Sequence, residues 1–117
     1  MNRFERFTID MLRGAKGAKE AMHILTFQFA AQYEIEETFI RERLVELHTE
    51  KFICLSAWDG TRDRPLVDWP NTDYFFNYAS DGNHKRVRLL LRGAEFLENL
   101  QSPTPVPESK PQIGFAP

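Results

Sequence analysis

Four side chains that could contact phosphate lie within the five residues HKRVR, at positions 84–88. Lys and Arg are the side chains that neutralise the phosphates of a nucleic-acid backbone. We therefore predict a phosphate-binding cluster made of His84, Lys85, Arg86 and Arg88. A solvent-exposed strand edge, kept soluble by its charges, would explain the same residues without a ligand.

The other residues that could bind metals or take part in catalysis are dispersed along the chain. His23, His48 and His84 have neither the i, i+4 spacing nor the Cys-x-x-Cys partners that assemble a zinc site. The acids of residues 59–73 do not follow the alternating pattern of a calcium-binding loop, and no glycine-rich phosphate loop follows a predicted buried strand. The sequence therefore predicts no metal, no cofactor and no enzymatic activity.

The composition is typical of a globular protein with one domain. Of the 117 residues, 42% are hydrophobic and 27% are charged. A chain of this length can bury enough apolar surface to form a core without metals or disulfides. The net charge of -2 gives no general attraction to nucleic acid, so DNA binding would depend on a local basic cluster. The single cysteine, Cys54, is predicted to be a small buried hydrophobic residue. We expect a soluble, cytoplasmic protein without membrane contact, because the sequence has no signal-peptide pattern and no apolar run of membrane length.

Three stretches in the first half of the chain have the periodicity of amphipathic helices. The first follows residues 4–12 and is expected to end near Gly14 or Gly17. The second is predicted over residues 19–33, with an apolar side made of Met22, Leu25, Phe29, Ala30 and Tyr33. The third is predicted within residues 34–51, with Ile35 before it and an apolar stripe made of Phe39, Ile40, Leu44 and Leu47.

Two strands and a closing helix are predicted in the second half. The first strand is FICLSAW, residues 52–58, and a turn at Asp59 and Gly60 ends it. The second strand, residues 85–91, is predicted to place Val87, Leu89 and Leu91 on one side and Arg86, Arg88 and Leu90 on the other. The apolar spacing becomes helical after Gly93, which predicts that this glycine joins the strand to the closing helix.

Two further segments complete the predicted organisation. Residues 61–83 form an insertion with aromatic anchors, among them Trp69, and with a short helix that starts at Asn71 or Thr72. Residues 101–117 contain five prolines and are expected to form a flexible tail. The predicted fold class is α+β, mainly helical with a small β-hairpin.

Two parts of this pattern resemble the winged helix-turn-helix superfamily of bacterial transcription regulators. The superfamily's second helix, recognition helix and first wing strand are similar to residues 29–55, FAAQYEIEETFIRERLVELHTEKFICL. Its second wing strand and closing helix are similar to residues 87–100, VRLLLRGAEFLENL. Where the superfamily has a glycine before the first wing strand, this chain has Phe52, preceded by Lys51. The apolar positions that match the superfamily are Ala30, Ile35, Ile40, Leu44, Leu47 and Ile53. The resemblance implies one winged-helix domain, residues 1–100, with residues 61–83 inserted in the wing.

The resemblance also implies where DNA would bind. In this superfamily the recognition helix enters the major groove, and the residues expected to face outward are Glu37, Thr38, Arg41 and Glu42. Of these, Thr38 and Arg41 are expected to bind DNA, with Arg41 contacting a guanine or a phosphate. The basic cluster at residues 84–88 would contact the backbone from the wing. The nearby acids Glu34, Glu36 and Glu37 oppose this interpretation because they would face a polyanion.

Two functions therefore remain open. The first is sequence-specific DNA binding in transcription regulation by a homodimer. Its expected dimer surface consists of Phe4, Phe7, Phe96 and Leu100, although these residues could equally belong to the core. The second is a winged-helix protein-interaction module without DNA affinity, which the acidic balance and the aromatic insertion favour.

Overall fold

The computed structural model describes residues 1–78 and 85–101, which fold into five α-helices, four strands and one 3-10 turn. The helices are α1 (Arg3–Gly17), α2 (Thr26–Tyr33), α3 (Glu37–Thr49), α4 (Thr72–Asn77) and α5 (Leu91–Gln101), and the 3-10 turn is Leu66–Asp68. The strands are β1 (Met22–Ile24), β2 (Ile53–Trp58), β3 (Asp63–Pro65) and β4 (Lys85–Leu89). The predicted α+β class is confirmed. His84 and the predicted tail beyond Gln101 lie outside the described residues.

The strands form one antiparallel sheet in the order β1-β4-β2-β3. Val87 of β4 lies opposite Met22 of β1 on one side and opposite Leu55 of β2 on the other. The predicted hairpin, β2 with β4, is therefore the centre of a larger sheet. Both outer strands have three residues, too few to produce a recognisable alternation in the sequence.

The predicted second helix is wrong in its first half. Residues 22–24 form β1, and the helix begins only at Thr26, after Leu25 in an extended conformation. An isolated apolar pattern does not distinguish a short strand from the start of a helix. In the folded chain, β1 pairs with β4 and buries Ile24 in the core.

The core lies between the sheet and the helices α1, α3 and α5. The buried residues that were expected together are Ile40, Leu44, Leu47, Ile53 and Val87, with Leu89 and Phe96 half-buried against them. Phe39 was expected in the same stripe but is 49% exposed. Cys54 is half-buried rather than fully buried. The predicted packing of Ile40, Leu44 and Leu47 against the sheet is thus confirmed. The buried stripe of α3 is narrower than predicted, because it does not include Phe39.

The connection between β4 and α5 consists of Leu90 alone, so the predicted role of Gly93 at a strand-to-helix corner is wrong. Gly93 lies inside α5, and a Cβ atom there would be 2.3 Å from the carbonyl oxygen of Phe52. That oxygen accepts a hydrogen bond from the Leu90 N–H at 3.0 Å. The glycine therefore allows α5 to approach the start of β2. Leu91, expected to face inward with Val87, is exposed because the strand has already ended.

The turn from α3 to β2 places Lys51 in the left-handed conformation, with φ of 66°. Its N–H donates to the carbonyl of His48, and the Phe52 N–H donates to the carbonyl of Leu47. These bonds satisfy carbonyls at the end of α3. Lys51 thus adopts a conformation that glycine would adopt at lower cost.

The insertion packs around Trp69, which is buried. Its ring contacts those of Tyr74, Phe75 and Tyr78, with centroid distances of 6.0, 5.7 and 5.1 Å. The indole N–H donates to the carbonyl of Arg64 at 3.0 Å. The predicted start of the short helix is confirmed, because the Asn71 side chain caps α4. The segment is therefore an ordered part of the domain over residues 61–78.

No helix within residues 1–78 and 85–101 has the length and apolar character needed to cross a membrane.

Candidate functional site

Arg41 connects α3 to α4. Its guanidinium forms a 3.1 Å salt bridge with Glu37, donates a 3.2 Å hydrogen bond to the Asn77 side chain and lies over the Phe76 ring, 5.3 Å from its centroid. Each contact orients the guanidinium toward α4 or toward its own helix. Arg41, the predicted base-contacting residue, is thus half-buried and occupied by partners within the chain.

Glu37 holds Arg41 from the first turn of α3. The same carboxylate oxygen that pairs with Arg41 accepts a hydrogen bond from the Thr26 hydroxyl, which is buried at the start of α2. Glu37 therefore links α2, α3 and, through Arg41, α4. Its charge compensates that of Arg41, so the pair contributes little net attraction to an anion.

Lys85 does not belong to an exposed basic cluster. It is 2% exposed, lies opposite Ile24 of β1, and its ammonium lies 5.5 Å from the centroid of the Phe75 ring. Burial, and then the nearby charge of Arg41, lowers the pKa of Lys85 to about 8. Its predicted contact with phosphate is wrong, because residues at i and i+2 of a strand share a face and Lys85 therefore faces inward with Val87.

Arg86 and Arg88 lie on the other face of β4. Arg86 is half-buried and pairs with Asp63 of β3 at 3.8 Å, and Asp63 also accepts a hydrogen bond from the Ser56 hydroxyl. Arg88 is exposed and has no ion pair within the described part of the chain. Of the four predicted basic residues, the structure places two on one outer face, buries one, and leaves His84 outside the described residues.

A groove runs between α3 and α4 beside Arg41. Val45 and Phe76 contribute its apolar surface, and Thr38 and Thr72 line it as well. Glu42, Glu46 and Asp73 supply acidic side chains, all exposed. Thr38, expected to face DNA, therefore lies in an acidic groove.

The expected dimer surface is only partly available. Phe7 is fully buried among Phe4, Phe29 and Tyr33, so it belongs to the core. Phe96 is half-buried and Leu100 is 46% exposed. A second apolar groove between α1 and α5 is lined by these last two residues, Met1, Ile9 and Arg43 among others.

His48 has a structural role at the end of α3. The Nδ1 atom of His48 accepts a hydrogen bond from the Leu55 N–H at 3.0 Å, and burial, with Lys51 nearby, lowers the pKa of its imidazole. His48 therefore joins the end of α3 to β2. Among the described residues, no group of three or more His, Cys, Asp and Glu side chains could hold a metal ion.

The residues of α4 are the part of the site that sequence reasoning missed. Asp73, Phe76 and Asn77 were assigned to the insertion in the wing, and no contact with α3 was predicted for them. Asn77, 36 residues from Arg41 in the sequence, and its neighbour Phe76 both contact the Arg41 guanidinium, and Asp73 lines the groove beside it. The only sequence signal for such a contact is the unusual number of aromatic residues in a predicted surface segment.

Comparisons of the chain with protein-family models, with curated proteins and with solved structures gave no match.

Proposed function

We propose that this chain is a winged-helix protein-interaction module that binds its partner through the exposed side of α3 together with α4. The observation that carries the proposal is the position of α4. It packs beside the face that a DNA-reading helix would present, and Arg41 holds it there through Asn77 and Phe76.

The winged-helix part of the proposal is supported by the order and pairing of elements. The helix α3 leads into β2 through a short turn, β2 pairs with β4, and α5 follows β4 after one residue. Those are the relations that the resemblance implies for a recognition helix, two wing strands and a closing helix. The insertion then occupies the loop between the two wing strands.

The electrostatics of α3 favour a protein partner over DNA. Glu42 and Glu46 are exposed on the side of the helix that borders the groove, and Arg41, which also lines the groove, is paired with Glu37. A polyanion would be repelled by this face, because phosphate neutralisation supplies most of nonspecific DNA affinity. A protein partner can instead present cations and apolar side chains.

Self-association through α1 and α5 belongs to the same proposal. The groove between these helices is mostly apolar, and the exposed part of Leu100 borders it. A twofold interface would bring two copies of this apolar surface together. Phe7, being buried in the core, has no part in it.

Site-specific photo-crosslinking tests the partner-binding face. A photoreactive amino acid replaces Thr38, which is exposed in the groove, and in a control variant it replaces Arg13, which is exposed on α1. We expect a discrete adduct with a different protein in cells from position 38 only, since contact with that partner is confined to the α3 and α4 face. Self-association through α1 and α5 would instead give an adduct between two copies of the chain, which does not count as the partner. Identical adducts from both positions, or none from position 38 in a folded variant, would contradict the proposal.

A second candidate is DNA binding, favoured by Arg86 and Arg88 on one outer face of β4. Arg88 is exposed, and Arg86 has only a 3.8 Å ion pair to Asp63. If this face binds phosphates, replacing both arginines by alanine should weaken binding to every sequence and lower the salt dependence by about one unit per lost phosphate contact.

A further inference from the structure

The groove between α3 and α4 has an apolar floor. Phe76 is buried and Val45 is half-buried, and both line a space of about 480 Å³. Phe76 is held in place by an edge-to-face contact with Phe75, at 5.0 Å between centroids, and by the Arg41 guanidinium. Contacts within the domain therefore fix the position of the Phe76 ring, so partner binding would not need to immobilise this side chain.

The rim of the groove carries uncompensated negative charge. Glu42 and Asp73 are exposed, and neither forms an ion pair with any described residue of the chain. Glu46 is also exposed but pairs with Arg43 at 3.3 Å. Arg41, the single cation among the described residues that line the groove, is compensated by Glu37 at 3.1 Å. The charge available to a partner is thus negative, and it comes from both helices.

We propose that this groove binds a basic segment of a partner protein, with one large apolar side chain against Val45 and Phe76 and with flanking Lys or Arg side chains facing Glu42 and Asp73. The inference depends on the proposed function and adds the chemistry of the partner. Apolar contact supplies the affinity, and complementary charge selects a basic segment over an acidic one.

The charge pattern also explains why the occupant is a peptide segment rather than a nucleic acid. A nucleic acid would bring phosphates next to Glu42 and Asp73, and like charges at an interface oppose binding. A basic peptide brings the opposite charge and an apolar anchor in one short stretch. Both features are needed to match a surface whose floor is apolar and whose rim is acidic.

The test uses a phage-displayed library of random peptides, selected on the immobilised full chain. The expected peptides have a net positive charge and one large apolar or aromatic residue. Their affinity is then measured for the wild type and for the Glu42→Gln, Asp73→Asn double variant. We expect about fivefold weaker binding by the variant, because each exposed charge pair contributes a factor of roughly 1.4 to 5.

A matched control removes the same charge elsewhere. Glu95→Gln with Glu98→Gln neutralises two exposed acids of α5 and should leave peptide affinity within about twofold of the wild type, since only the groove acids face the peptide. A third variant, Val45→Ala, should also weaken binding by reducing the apolar floor. Circular dichroism of each variant establishes that it is folded.

Three outcomes would overturn the inference: selection of acidic or neutral peptides, selection of none, or equal weakening by the groove and control variants. The failure of the proposed function is distinguishable from these. If photo-crosslinking from position 38 yields a site-specific adduct while no basic peptide is selected, the interaction face stands and the basic partner does not. If both experiments fail, the interaction face fails as well.

Discussion

Among the described residues, Lys85 and Lys51 each adopt a state that runs against their chemical type. Lys85, on the inner strand β4, is buried with its ammonium group 5.5 Å from the centroid of the Phe75 ring, and Lys51 occupies a left-handed backbone conformation. Burial of the Lys85 ammonium and backbone strain at Lys51 each lower the free energy of unfolding. Each therefore offers a measurable change in stability.

The buried ammonium of Lys85 should make stability depend on pH. Its pKa is about 8 in the folded chain, below the ordinary value of 10.5, so between these values the unfolded chain binds more protons. The contribution of Lys85 to the unfolding free energy therefore rises with pH through this window, and below it the full burial cost applies. Lys85→Met should abolish this rise and stabilise the domain near neutral pH by about 1–3 kcal/mol.

Chemical denaturation near neutral pH and near the top of this window measures both effects. The control is Lys16→Met, which replaces an exposed lysine of α1 and should preserve the pH dependence of the wild type. A Lys85→Met variant that keeps that dependence, or loses stability at neutral pH, would show that the ammonium is not a cost to folding.

The left-handed conformation of Lys51 predicts that glycine is better at this position. Lys51→Gly should raise the unfolding free energy by about 0.5–1 kcal/mol, because the relief of strain exceeds the added entropy of the unfolded chain. Lys51→Ala removes the same side chain but keeps the strain, so it should give no gain. Equal stability of the two variants in urea denaturation would argue against strain at the turn.

At the scale of elements, the junction of α5 with the start of β2 depends on Gly93. Gly93→Ala would place a methyl group 2.3 Å from the Phe52 carbonyl oxygen, so α5 would have to shift. We expect a loss of about 1–3 kcal/mol, typical of overpacking. Gly17→Ala, at the end of α1 with no atom within 4 Å, is the control and should be neutral or stabilising. Thermal melts in which the two variants behave alike would contradict the close approach.

Long elements with their own local signals could be predicted from the sequence. The stripe of Ile40, Leu44 and Leu47 predicted α3, and Asn71 predicted the start of α4 because its side chain caps the helix. The strand β1 could not be predicted, because three residues gain their structure from pairing with β4. The position of Gly93 was misjudged for the same reason, since its role lies in a contact with Phe52.

The candidate site was predictable only in part. The alternation along β4 was sufficient to place Lys85 on the same face as Val87, although the basic run suggested a cluster. The packing of α4 against α3 was not predictable, because Arg41 meets Asn77 and Phe76 through tertiary contacts alone. Interfaces between distant segments leave no periodic pattern in either of them.

For the whole molecule, charge is separated between surfaces although the net value is only -2. The α3 and α4 face exposes Glu42, Glu46 and Asp73, while the outer face of β4 carries Arg86 and Arg88. If the chain is a winged helix, as proposed, both α3 and the wing would face the DNA backbone, where basic side chains make most contacts with phosphate. The acidic face therefore supports the proposed protein partner, together with the position of α4 beside α3.

The proposal of a protein partner rather than DNA is tested most directly by fluorescence anisotropy. A labelled random DNA duplex is titrated with the wild-type chain across a salt series that starts at low salt. We expect no saturable binding even at the lowest salt, where phosphate contacts are strongest, because acids dominate the exposed side of α3. Saturable binding that weakens steeply with salt, and weakens further when Arg86 and Arg88 are both changed to alanine, would contradict the account and favour a DNA-binding wing.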